Sequence, residues 1–151
     1  MKITVLGCGS SGGTPLVGAT GWGVSNPDDP RNRRLRPSIL VKQGATTLLV
    51  DTSPDLREQM IAAGVEDIDA ILYTHAHADH VHGIDDIRSF NYRRSGAIDA
   101  WGSAETMATI AQRFAYVFEP YPSERPRFFR PCLNPRIANG PFAVGGIDIV
   151  P

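Results

Sequence analysis

The chain has 151 residues, enough for one domain with a real core and too few for a large multidomain assembly. Its formal net charge is −1, with 42% hydrophobic and 21% charged residues, so no global field selects nucleic acid or an anionic membrane. No apolar run reaches the roughly 18 residues of a membrane span, and the two cysteines, Cys8 and Cys132, form no Cys-x-x-Cys pair. The N-terminus reads as a strand and not as a signal peptide, so the expected compartment is the cytoplasm.

In chain order, residues 2–6 alternate as a strand and run into a glycine-rich loop, residues 7–13. Residues 14–37 have no periodicity and predict a long surface loop. Residues 38–42 and 46–51 flank Gln43-Gly44-Ala45 and predict a hairpin. Ser53-Pro54-Asp55 opens a predicted helix capped by Ser53, with Leu56, Met60 and Ala63 inward and Gly64 at its end. A buried strand is predicted over 68–73, then a helix over 83–94 with Ile84, Ile87 and Phe90 or Asn91 inward. A short strand over 97–101 leads to a helix from Ser103 to about Phe118, with Met107, Ile110, Ala111 and Phe114 inward. The proline-rich stretch 119–141 offers only residues 127–130 as a strand, and 142–150 reads as two short strands around Gly145-Gly146.

All four histidines fall within eight residues, His75 to His82, directly after the predicted strand 68–73. His75, His77 and His80 with Asp79 form a set of imidazole and carboxylate ligands suited to zinc, iron or manganese; without thiolates, the set does not point to a purely structural zinc site. In an extended segment His75 and His77 share a face, and a following turn sends Asp79 and His80 to the other side. His82 is expected outside the ligand set. Gly7-Cys8-Gly9-Ser10-Ser11-Gly12 matches the dinucleotide pattern Gly-x-Gly-x-x-Gly literally. No helix is predicted at its third glycine, so it reads as a tight turn. Arg31, Arg33, Arg34 and Arg36 form one basic cluster able to grip a phosphate or carboxylate.

His75-Ala76-His77-Ala78-Asp79-His80 followed by Gly83 resembles the signature of the metallo-β-lactamase-fold hydrolases. The opening Gly7-to-Pro15 segment, residues 32–36 and residues 49–57 resemble one branch, which contains the phosphonate-operon phosphodiesterase acting on phosphoribosyl cyclic phosphate and borders the tRNA 3′-processing nucleases. The resemblance implies an α/β fold: the N-terminal half of an αββα sandwich, with a mixed β-sheet carrying helices on one face, residues 1–151 forming a single incomplete domain. It implies a metal-dependent hydrolase, a phosphodiesterase acting on a small cyclic or nucleotide-like phosphodiester with a hydroxide activated by two divalent ions, zinc or manganese. His75 and His77 would hold one ion and Asp79 and His80 the other, Asp79 would also act in catalysis, Asp51 would support the histidine loop, and Arg33 and Arg34 would bind substrate. The alternatives are a tRNA 3′-processing-type nuclease and a catalytically incomplete metal-binding fragment. The expected partner is the small substrate, with neither membrane nor nucleic acid, and a homodimer would cover an open sheet face. In this family the remaining ligands lie in a second half, so the chain is expected to be an N-terminal half, nearly inactive alone. Some members carry a cysteine-built zinc site after the glycine-rich loop; residues 18–37 contain no cysteine, so none is expected here.

Overall fold

The computed structural model describes residues 1–18, 21–120 and 130–151. Strands β1 (Lys2–Gly7), β2 (Ser38–Gln43), β3 (Thr46–Val50), β4 (Ala70–Leu72), β5 (Ile98–Gly102) and β6 (Leu133–Ile137) form one six-stranded sheet, side by side in sequence order. β1 to β3 run antiparallel, and β3 to β6 are joined in parallel. The β2–β3 turn has only Gly44 and Ala45 between the paired Gln43 and Thr46, and Gly44 supplies the positive φ (58°) such a short hairpin needs.

Parallel neighbours require crossovers, and these hold the helices: α1 (Leu56–Ala62) between β3 and β4, α2 (Ala78–Val81) and α3 (Arg88–Arg94) between β4 and β5, and α4 (Ala104–Arg113) between β5 and β6. Leu49, Ile71 and Ala100 stand in register across β3, β4 and β5 and are sealed under Leu56, Ile87 and Ile110 from the helical side. Because side chains alternate along a strand, Leu48 and Ala70 point to the opposite face. There they meet a separate hairpin, β7 (Phe142–Val144) with β8 (Ile147–Ile149). Trp101 stacks on Phe142 with ring centroids 3.9 Å apart. The mixed sheet with helices on one face is the expected architecture.

Several details differ from expectation. Ser53 is not the N-cap residue of α1: Asp55 takes that position, without a side-chain cap because Arg36 occupies its carboxylate, while the Ser53 hydroxyl donates to Gln59 Oε1 and accepts from Asp55 N (3.2 Å) just ahead of the helix. Residues 83–94 are not one helix. A 3-10 turn, Ile84–Ile87, precedes α3, and its three-residue period stacks Ile84, Ile87 and Phe90 on the core side. Likewise α4 ends at Arg113 and a 3-10 turn, Ala115–Phe118, follows. Strand β6 was not expected, since Pro135 interrupts its sequence; as an edge strand it can lack one N–H. The strand expected over 127–130 lies, up to residue 129, outside the described residues. Among the described residues no helix is long and apolar enough to cross a membrane.

Candidate metal centre

The histidine loop leaves the C-terminal end of β4, where a loop can rise over a rigid sheet edge. Its anchor is Asp51, the residue after β3. Asp51 is buried and holds φ at 61°, a left-handed conformation that aspartate tolerates better than most residues. Its backbone N–H donates to Leu72 O, tying the ends of β3 and β4 together. Its Oδ1 accepts from Thr74 N (2.8 Å), and its Oδ2 accepts from the Thr74 hydroxyl and lies 2.7 Å from His80 Nδ1. Through these contacts the Asp51 carboxylate joins the start of the histidine loop, at Thr74, to His80 in α2.

The next residue, Thr52, docks the far end of the loop. Thr52 N donates to His80 O (2.8 Å), Gly83 N donates to Thr52 O (2.9 Å), and the Thr52 hydroxyl meets Tyr73 Oη at 3.1 Å. Burial pushes the Tyr73 phenol well above its ordinary range, with Thr52 opposing and Asp51 adding to the rise, so it stays protonated. Gly83 packs so closely that a Cβ there would clash with the Ser53 carbonyl oxygen. From the other side, Arg113 at the end of α4 donates to Ala76 O (2.6 Å), and Phe114 meets the His82 ring edge-on at 5.8 Å.

The clamped loop gathers His75, His77 and His80: the His75 ring lies 4.6 Å from that of His77 and 4.0 Å from that of His80, centroid to centroid. His82 is exposed and turned to Phe114, outside this group. Asp51 is acceptor-only when ionised, so His80 donates to it from Nδ1, and in the neutral ring Nε2 then keeps a lone pair. That lone pair faces Asp79 Oδ2 at 3.4 Å. Two electron-rich atoms turned toward each other are favourable with a cation between them. Donors at the usual ~2.1 Å zinc distances stand about 3.4 Å apart on a tetrahedral edge. The donor set thus fits a divalent cation. Among the described residues, however, no three His, Cys, Asp or Glu side chains form one chelating group. The loop presents donor pairs, not a closed cage.

Asp51 is the centre of this site, but two residues that position the loop, Thr74 and Arg113, were not singled out in the sequence. Thr74 offered only its adjacency to His75, and Arg113, 37 residues from Ala76, gave no signal at all. The basic segment is arranged differently from the histidines. Arg36 pairs with Asp55; the hydrogen bond from Arg36 holds the Asp55 carboxyl below its ordinary range and raises the guanidinium, to which the charge of Asp79 adds. Arg31 is bound to Asp29 at 2.7 Å, and Arg33 lies over the Trp22 ring at 5.0 Å. Arg33 and Arg34 line, with Gly12, Gly13, Thr14 and Arg36, a cavity of about 450 Å³ whose walls include none of the four metal-ligand candidates. The glycine-rich loop borders it: Gly9 N donates to Leu35 O and Gly13 N to Ser10 O, a compact turn that no helix follows directly among the described residues.

Residues 46–151 match the beta-lactamase superfamily domain, and the chain belongs to that family. Its structure is similar to that of a diphosphatase from the PhnP family, with a TM-score of 0.82 and 33% identity over 99% of this chain and 55% of that one. It also resembles the zinc-bound PqqB of Methylobacterium extorquens in fold, with a TM-score of 0.67 at 20% identity over 94% of this chain and 48% of that one. Among curated relatives, an octanoyltransferase of Porphyromonas gingivalis is 34% identical over 100% of this chain but only 30% of its own length. A ribonuclease Z of Bradyrhizobium is 35% identical over 63% of this chain and 32% of its own. The chain therefore spans about a third of these curated relatives and about half of the solved ones.

Proposed function

We propose that this chain carries the histidine-loop half of a metal-dependent hydrolase acting on a small phosphodiester. The observation that carries the reading is the opposed pair His80 Nε2 and Asp79 Oδ2, held 3.4 Å apart with Asp51 behind the imidazole. His80 with Asp79, and His75 with His77, would hold divalent cations, zinc or manganese, which when bound lower the pKa of water and neutralise charge on a phosphoryl group. The protein's own part is positional. Asp51 orients His80, Thr52 and Arg113 hold the two ends of the loop, and the Asp79 carboxylate can accept a hydrogen bond from attacking water. Arg33 and Arg34, in the cavity beside the glycine-rich turn, supply guanidinium groups for a phosphate. The donor pairs leave coordination positions for residues of the rest of the fold, beyond the part this chain spans. The likeness to a diphosphatase supports a phosphate ester or anhydride substrate. The likeness to ribonuclease Z supports a second reading, an RNA phosphodiester, which differs in requiring substrate length for binding.

Zinc and manganese binding, titrated calorimetrically with the 151-residue chain and its His80→Ala variant, tests the site. The expected result is binding by the parent, weakened at least about tenfold in the variant. Hydrolysis of bis-p-nitrophenyl phosphate, compared between a polypeptide holding the whole fold and its His77→Ala form, tests the activity. Equal rates in the two would remove the loop from the chemistry.

A further inference from the structure

Resting on the reading of His75 as a metal-facing imidazole, the unassigned feature is the residue before it. The Thr74 hydroxyl lies 2.7 Å from Asp51 Oδ2 and 3.0 Å from His75 Nδ1. A hydroxyl has one hydrogen to give. Placed on the carboxylate, it makes a charge-assisted bond, stronger than a bond to neutral imidazole. What remains toward His75 is an oxygen lone pair, and an acceptor facing Nδ1 requires Nδ1 to be the protonated nitrogen. Asp51 Oδ2 meanwhile accepts a hydrogen bond from His80 Nδ1 directly, at 2.7 Å.

We infer that Thr74 is a positioning residue that relays Asp51 to His75, fixing the ring as the Nδ1–H tautomer with Nε2 free to bind a cation. One carboxylate then sets both imidazoles to the same state, His80 by contact and His75 through the hydroxyl. The Thr74 backbone N–H, bonded to Asp51 Oδ1 at 2.8 Å, holds the hydroxyl in place for this exchange. The side-chain methyl takes no part, so serine should serve and valine, of the same shape, should not.

The test uses the 151-residue chain, labelled with nitrogen-15 and free of metal, at about pH 8, above the reference range of the imidazole group. Ring-nitrogen shifts report the tautomer of each histidine separately. Parent and Thr74→Ser are expected to show His75 protonated at Nδ1. In Thr74→Val the His75 signals should move toward the Nε2–H form while those of His80 stay. Zinc titration should follow, with Thr74→Val weakened about tenfold or more and Thr74→Ser within about threefold of the parent. His75 protonated at Nε2 in the parent, or a tautomer unchanged in Thr74→Val, overturns the inference whether or not zinc binds. A tautomer shift as expected, with no zinc bound even by the parent, upholds the relay and overturns the metal reading alone. Retained His80 signals exclude unfolding as the cause of a His75 change.

Discussion

The two faces of the sheet differ in how completely they are used. On the helical face Leu49, Ile71 and Ala100 are fully buried. On the other, the β7–β8 hairpin covers the middle strands, while Ile3 and Val5 of β1 stay 60% and 62% exposed. The histidine loop rises from the strand ends between the two, but each of its anchors comes from the helical side: Asp51 and Thr52 before α1, and Arg113 at the end of α4. The geometry of the donors is therefore a product of the closed face, and the open face can vary without disturbing them.

Substitutions can break that contrast or sharpen it. The largest effect is expected from Ile71→Ala, which empties a fully buried site beneath the loop. Chemical denaturation should show a loss of about 2–5 kcal/mol. Gly83→Ala comes next. Its methyl would meet the Ser53 carbonyl, so the loop's exit must move, at a cost of about 1–3 kcal/mol with zinc binding weakened in parallel. If stability fell and zinc binding did not, the donors would not depend on this docking. The smallest effect is expected from Val5→Thr on the open face, within about 0.5 kcal/mol and with zinc binding unchanged. A loss from Val5→Thr approaching that from Ile71→Ala would mean that the two faces do not differ.

Much of this arrangement was legible in the chain because local pattern and tertiary burial agree. The β-prone run of residues 46–50 beside Gly44, the clustered histidines after a strand and the glycine at 83 all carry their reasons in the sequence. What escaped depends on partners distant in sequence. Ser53 looked like the N-cap, but it sits two residues ahead of that position, accepting from Asp55 N and donating to Gln59, and Asp55 was free to look like a helix-start charge until Arg36, 19 residues upstream, engaged it. Strand β6 was hidden by Pro135, since propensity cannot tell an edge position from a central one. Arg113 resembled any solvated arginine near a helix end, and only the fold brings Ala76 to it. For Arg33 and Arg34 charge alone was visible, and the structure adds Trp22 and the glycine-rich turn as their surroundings.

Pro135 has a further consequence for how the sheet can be extended. Flanked by exposed Asn134 and Arg136, it gives the β6 margin one fewer backbone donor and a polar fringe, both of which discourage lateral addition of another strand. The β1 margin contains no proline and exposes Ile3 and Val5 beside Lys2. Any widening of the sheet, whether by more of the same polypeptide or by a foreign one, is thus biased to one side, the side away from the β5–β6 border.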